Sequence, residues 1–147
     1  MIARVASWSS RVVGLVVAAA PFAYAPLAAR GGRVPLVLDD LFASVCHRMP
    51  ERSFSVLGSL LPLCSRCLGL YVGAGLGLLV GRPALDVSAL RLWLTVAAAA
   101  LFVELFTQDL GWHPVFHPTR ILTGFFVAYP LGAFVTSRLS RAGRGHG

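Results

Sequence analysis

Two of the chain's three cysteines form a C-x-x-C pair, Cys64 and Cys67, at the start of an apolar run that is spaced by glycines. The third cysteine, Cys46, stands directly before His47. A C-x-x-C pair with a further cysteine and a histidine is the ligand set of many zinc sites. Because three is an odd number, these cysteines cannot all pair as disulfides within one chain. The spacing therefore predicts a metal site or a reactive pair of thiols.

We predict that zinc, or another thiophilic divalent metal, is bound by three thiolates and one imidazole. Three histidines are candidates for the imidazole: His47, and His113 and His117 in a later loop, where each stands before a proline. Proline disfavours helix in the residue that precedes it, so the two loop histidines do not form an H-x-x-x-H helix pair. The choice among the three imidazoles stays open at this point.

The same cysteines fit two other functions. A C-x-x-C at a helix N-terminus near the membrane surface is typical of small four-helix enzymes that pass electrons between protein thiols and a quinone. In that alternative, a membrane thiol–disulfide oxidoreductase, Cys46 is the shuttle or partner thiol. Buried cysteines also serve as small apolar residues, which fits a structural or assembly subunit. Whether the protein is an enzyme is left open.

The elements that must carry these residues are membrane helices. The chain is 56% hydrophobic and only 13% charged, whereas about a quarter of the residues in soluble domains are charged. Its apolar runs are continuous, which favours helices over a β-barrel. We predict an all-α, multi-pass integral membrane protein with about four transmembrane helices and a short interfacial helix before Cys46. The predicted spans are residues 11–29, 64–81, 89–107 and 119–139.

The spans leave two further segments in a single membrane domain, residues 1–147. Residues 34–63 are expected to form an interfacial loop with the Cys/His motif, and residues 140–147 a disordered tail. A basic segment precedes residues 11–29 and small residues follow them, so a cleaved signal peptide is the alternative there. The net charge of +7 comes from scattered arginines, which suits interfacial anchors within a lipid bilayer and argues against a nucleic-acid partner.

Topology brings the candidate ligands to one side of the membrane. In a four-span protein, the first and third loops share a face, so all three cysteines lie on the same side as His113 and His117. Pro62 suits the first position of a helix. A helix that begins there places Cys64 and Cys67 one turn apart in its first two turns, on one face.

Charged residues are expected on the same face. Glu104 stands in an apolar run, where a carboxylate is a functional hypothesis by default. It is the candidate general base if the metal keeps an open position, or else the partner of Arg66 or Arg120 in an ion pair. Several arginines could bind an anionic lipid head group or an anionic metabolite: Arg48, Arg52, Arg66 and Arg120.

The second span carries a stripe of glycines at every fourth residue, on the side opposite the cysteines. Small residues at this spacing let another helix approach closely. The stripe predicts tight helix packing and offers a surface for a homo-oligomer. Its members are Gly69, Gly73, Gly77 and Gly81.

Longer motifs resemble a known family. C-H-R-x-P-E-R-S-F at residues 46–54 and P-L-C-S-R-C-L-G-L-Y-V-G at residues 62–73 are similar to DUF2085, a family of small, uncharacterised prokaryotic membrane proteins; R-I-L-T-G at residues 120–124 resembles its third block. The resemblance covers residues 41–132 and implies the fold, a prokaryotic cell membrane and the position of the site, not a reaction. It adds four polar site residues: Ser53, Tyr71, Gln108 and Thr123.

The sequence departs from the family pattern at two places. The family usually has an aspartate at the end of the third span, where this chain has Glu104, so the carboxylate is kept on a longer side chain. An asparagine is common before the last block, and His117, Pro118 and Thr119 stand there instead.

Overall fold

Helices make up most of the computed structural model, which describes residues 2–47, 49–56, 58–80, 86–112 and 114–142. Within these residues the chain forms five α-helices, a short 3-10 helix and two strands. In chain order they are α1 Ile2–Arg30, α2 Arg33–Ala43, the 3-10 helix Pro50–Arg52, β1 Ser53–Val56, β2 Ser59–Cys64, α3 Ser65–Val80, α4 Val87–Asp109 and α5 His117–Ala142.

Three of the described helices are long and apolar enough to cross a membrane: Trp8–Arg30 within α1, Val87–Asp109 and His117–Ala142. The fourth apolar helix, α3, has 16 residues. At about 1.5 Å per residue it is about 24 Å long, which is shorter than the hydrocarbon core of about 30 Å. The multi-pass membrane fold agrees with the sequence prediction, and a fourth span at α3 stays a prediction.

Helices α3 and α5 pack closely because glycines on each helix meet the backbone of the other. A Cβ atom on Gly73 would lie 2.6 Å from the carbonyl oxygen of Phe125. Gly69 and Gly77 approach the α5 backbone as closely, and Gly124 of α5 approaches the α3 backbone in return. Any side chain at these positions would force the two helices apart.

This packing bears on the homo-oligomer that the glycine stripe predicted. In the described residues, α5 of the same chain covers the stripe at Gly69, Gly73 and Gly77. A second copy cannot occupy that face while α5 lies on it, so the predicted homo-oligomer surface is not supported. Gly81 lies outside the described residues.

The chain is not all-α, because an antiparallel hairpin precedes α3. Strands β1 and β2 pair with Ser53 opposite Cys64 and Val56 opposite Ser59. Gly58 lies in the turn with a φ of 78°, a conformation that glycine adopts without strain. On β2, Leu61 and Leu63 are buried and hold the hairpin against the helices. Among the described residues, the segment predicted as an interfacial loop therefore contains most of α2, the 3-10 helix and this hairpin.

The hairpin corrects the predicted start of the cysteine helix. Pro62 lies within β2 instead of opening a helix, and α3 begins only at Ser65. Cys64 is thus the last residue of the strand, and only Cys67 lies in the first helical turn. Proline is tolerated in a strand at the edge of a sheet, and in this two-stranded hairpin both strands are edges.

The predicted short helix before Cys46 is α2. Its Phe42 is buried against Cys46 and Leu63, and the Phe42 ring meets the Tyr71 ring edge-on, with 5.4 Å between centroids. Three apolar side chains of α2, Leu36, Val37 and Leu41, are instead exposed. An apolar face of this kind suits a helix that lies on the membrane interface.

Candidate metal centre

The three thiols converge at one end of the helix bundle. Cys46 follows α2, Cys64 ends β2, and Cys67 lies in the first turn of α3. Their Sγ atoms lie within 4.8 Å of one another. Four sulfur ligands around zinc at about 2.3 Å would lie about 3.8 Å apart. Small side-chain rotations would therefore bring these three atoms to the distances of a common ion.

The backbone and the core hold the cluster in place. The Cys64 N–H donates a hydrogen bond to the Sγ atom of Cys46 over 3.3 Å, which links the loop after α2 to the start of α3. Cys46 is buried, whereas Cys64 and Cys67 are half-buried. The cluster is thus closed on its core side and open on the other.

The environment of Cys64 favours a thiolate. Hydrogen bonds from the Cys67 thiol first, and then from nearby backbone N–H groups and the Cys46 thiol, lower the pKa of Cys64 to about 4, although partial burial opposes this shift. A lowered pKa favours the thiolate of Cys64, which is the form of cysteine that binds metals and attacks disulfides.

No histidine joins the thiols among the residues that the structure describes. His47 is exposed, although it lines the same cavity as the cysteines. His117 begins α5; its ring packs at a tilt of 42° against the Phe54 ring with 4.5 Å between centroids, and its Nδ1 atom is buried without a hydrogen-bond partner among the described residues. His113 lies outside the described residues. The described geometry assigns three thiol donors and no imidazole.

A polar network beside the cysteines joins three helices. Glu104 of α4 forms an ion pair with Arg66 of α3 at 3.0 Å. The same carboxylate accepts hydrogen bonds from Gln108 at 2.8 Å and from Thr123 of α5 at 3.0 Å. Arg120 donates to Gln108 at 2.7 Å. The ion pair with Arg66 was one of the two roles expected for Glu104; the general-base role stays a prediction.

Thiols and arginines line one cavity of about 340 Å³. Its lining includes the three cysteines together with Arg52, Arg66 and Arg120. Arg120 is only 2% exposed, so its charge lies inside the protein. Arg48, the fourth predicted arginine, lies outside the described residues.

The remaining predicted polar residues, Ser53 and Tyr71, make structural contacts close to the cysteines. Ser53 is buried and donates from its hydroxyl to the Met49 carbonyl at 3.1 Å, and Tyr71 packs against the core cluster around Cys46. The sequence reasoning missed Thr119, whose hydroxyl lies 3.4 Å from Glu104. Its position one helical turn before Thr123 was the available signal.

Comparison with known proteins identifies the family. The family model described as "Predicted membrane protein (DUF2085)" matches residues 46–134, which is more than half of the chain. The chain belongs to the DUF2085 family. The match begins at Cys46 and extends into α5, so it contains the hairpin, all three cysteines and the Glu104 network of this DUF2085 protein.

Two archaeal relatives are similar to this DUF2085 protein. The uncharacterized protein MJ1492 of Methanocaldococcus jannaschii is 27% identical over 106 residues, which is 69% of this chain and 68% of that protein. An uncharacterized protein of Methanothermobacter thermautotrophicus is 36% identical over 85 residues, which is 56% of this chain and 77% of that protein. No solved structure matches the chain.

Proposed function

We propose that this DUF2085 protein is a metal-binding protein of the prokaryotic cell membrane, in which Cys46, Cys64 and Cys67 hold zinc or another thiophilic divalent ion. The observation that carries the proposal is the convergence of the three Sγ atoms within 4.8 Å. Cys46 lies 18 residues before Cys64 in the chain, so its meeting with the C-x-x-C pair depends on the tertiary fold. The archaeal relatives support the prokaryotic membrane.

The electrostatics of the site support a cation held by thiolates. Three thiolates and a divalent ion carry one net negative charge together, and Arg52, Arg66 and Arg120 line the same cavity. Guanidinium groups near a thiolate favour its charged form, and the metal ion favours it further. The positive charges of the three arginines would therefore offset the repulsion between thiolates gathered in this site.

The fourth coordination position would face the cavity. Structural zinc is closed by four protein ligands, whereas catalytic zinc keeps one position for water or substrate. With three thiol donors in the described residues, the geometry favours an open position, and His47, which lines the cavity, is one protein ligand that could close it. An open position is the arrangement that metal-assisted chemistry requires.

Metal content tests the proposal. Protein purified in mild detergent without chelator is expected to contain about one zinc per chain by elemental analysis. Cys46→Ser and Cys64→Ser should each lose most of it, because a serine hydroxyl is a poor zinc ligand compared with a thiolate. Ser55→Ala, an exposed change on β1, is the matched control and should keep it. A wild-type protein without metal, or a Cys46→Ser protein with full metal, would contradict the proposal.

The second candidate, a thiol–disulfide oxidoreductase, is favoured by one observation: Cys64 and Cys67 flank the start of α3, with their Sγ atoms within 4.8 Å of each other. In that function both thiols are oxidised to a disulfide while a partner disulfide gains two electrons and two protons. Thiol titration separates the two functions. A single titratable thiol per chain in metal-free protein would support exchange, and protection of all three thiols until a chelator is added would support the metal site.

A further inference from the structure

The cavity beside the cysteines collects positive charge from three separate elements. Arg52 ends the 3-10 helix, Arg66 lies in the first turn of α3, and Arg120 lies in the first turn of α5. All three line the cavity; the charges of Arg52 and Arg66 repel that of Arg120, whereas Glu104 and a Cys64 thiolate attract it. Like charges gathered in this way are unfavourable unless something compensates them.

Donor groups of the same arginines lack acceptors. The Nε atoms of Arg52, Arg66 and Arg120 are all buried without a hydrogen-bond partner in the described residues. A buried donor without a partner is costly, and more so when it belongs to a charged group. Arginine has only donors, so the group that would satisfy the three guanidinium groups must be an acceptor.

The charges of the described residues do not balance the cavity. Glu104 compensates one of the three guanidinium groups through its ion pair with Arg66. Three thiolates with a divalent ion carry one net negative charge and would compensate a second guanidinium group. One positive charge is then left over beside the open coordination position. A ligand that brings at least one negative charge and several acceptor oxygens meets both requirements.

We propose that this cavity binds an oxyanion of the phosphate class, held by Arg52, Arg66 and Arg120 beside the cysteine cluster. Guanidinium groups match phosphate because their fork of N–H donors engages two oxygens at once. The charge balance and the role of the fourth coordination position rest on the proposed metal site, whereas the arginine contacts do not depend on it. The oxyanion is either free phosphate or the head group of an anionic phospholipid.

Equilibrium dialysis with radiolabelled inorganic phosphate tests the free-anion source. Wild-type protein in lipid-free detergent is expected to bind about one phosphate per chain. Arg52→Gln should weaken the binding at least tenfold, about 1.4 kcal/mol, because it removes both the positive charge and the paired N–H donors of the guanidinium group. Arg141→Gln is the matched control: it removes the same charge at an exposed site about 30 Å along α5 from Arg120.

The lipid source is tested with mixed micelles of phosphatidylglycerol and phosphatidylcholine. If the head group is the ligand, wild type and Arg141→Gln should retain phosphatidylglycerol preferentially through purification. In Arg52→Gln, the ratio of retained phosphatidylglycerol to phosphatidylcholine should fall at least tenfold. Arg52 makes no ion pair in the described structure, so its replacement spares the Glu104 network. A gel-filtration profile equal to that of wild type confirms that the variant is folded.

Zinc measured in the same samples separates the two proposals. Stoichiometric zinc without saturable binding of phosphate or phosphatidylglycerol overturns the oxyanion inference and leaves the metal site standing. Equal binding by Arg52→Gln and Arg141→Gln also overturns it. Anion binding that depends on Arg52 in protein that never holds zinc supports the oxyanion site and contradicts the metal proposal.

Discussion

Replacing Glu104 with Gln removes the negative charge that joins α3, α4 and α5 at the cysteine end of the bundle. Glu104 is 9% exposed and its partner Arg66 is 14% exposed, so solvent screens their attraction weakly. Breaking a buried ion pair by neutralising one partner costs about 3–5 kcal/mol, because the other charge is left buried and unpaired. Gln keeps one carbonyl oxygen as an acceptor, so we expect a loss near the lower limit, about 3 kcal/mol.

The loss is measured as the free energy of unfolding, from the helical circular dichroism signal in mixed micelles with increasing sodium dodecyl sulfate. Asp109→Asn is the matched control, since Asp109 is an exposed carboxylate at the end of the same helix and should change the free energy by less than about 0.5 kcal/mol. A double replacement, Glu104→Leu with Arg66→Met, should cost less than Glu104→Gln alone, because no charge is left buried.

Two results would refute this reasoning. If Glu104→Gln unfolds with the same free energy as Asp109→Asn, the ion pair contributes nothing and the network is screened by water. If the double replacement costs more than Glu104→Gln, the pair is a net source of stability, contrary to the expectation for buried ion pairs.

Three further predictions follow from contacts outside the cysteine cluster. Gly73→Ala should lower the free energy of unfolding in the same assay by about 1–3 kcal/mol, because its Cβ would lie 2.6 Å from the Phe125 carbonyl; a neutral result would show that α3 and α5 can separate freely. Trp93→Phe should cost about 0.5–1.5 kcal/mol, since the indole N–H donates to an α5 carbonyl at 2.9 Å; unchanged stability would show that the indole bond adds nothing. The Ala89 N–H and the Ser88 hydroxyl donate to Asp86 and lower the pKa of its carboxyl, so Asp86 should stabilise α4 above its unfolded pKa of about 3.9. That contribution should fade as the pH falls through the lower folded pKa; a wild-type advantage over Asp86→Asn that does not change with pH in unfolding experiments would contradict the capping role.

Much of the fold could be predicted because apolar runs and glycine spacing are local features of the sequence. Runs without charges predict membrane helices directly, and small residues at every fourth position mark a face for close packing. Which helix packs there is a tertiary property. The stripe of Gly69, Gly73 and Gly77 could have served a second copy of the chain, and only the structure shows that α5 covers it.

The hairpin was missed because its signals are short and conflicting. Strand β2 has six residues and contains Pro62, which also suits the start of a helix. The available signal was Gly58 between two short apolar segments. The burial of Leu61 and Leu63 depends on the α1 surface against which β2 packs, which is not visible in the local sequence.

The candidate site shows the same division between local and tertiary information. The four-span topology predicted that all three cysteines lie on one membrane face. The structure brings their thiols together. The partner of Glu104 could not be chosen between Arg66 and Arg120, because the pair that forms joins residues 38 positions apart in the chain. His117 carries a metal-binding side chain, yet its ring packs on Phe54, a contact that depends on how α5 meets the hairpin.

X-ray absorption at the zinc edge, on protein loaded with one equivalent of zinc in detergent, tests the central claim most directly. Cys46, Cys64 and Cys67 predict three sulfur ligands at about 2.3 Å and one nitrogen or oxygen ligand at about 2.0–2.1 Å. The spectrum of Cys46→Ser should lose one sulfur. A spectrum with fewer than two sulfur ligands in the wild-type protein, or one that Cys46→Ser leaves unchanged, would contradict a zinc centre built from these three cysteines.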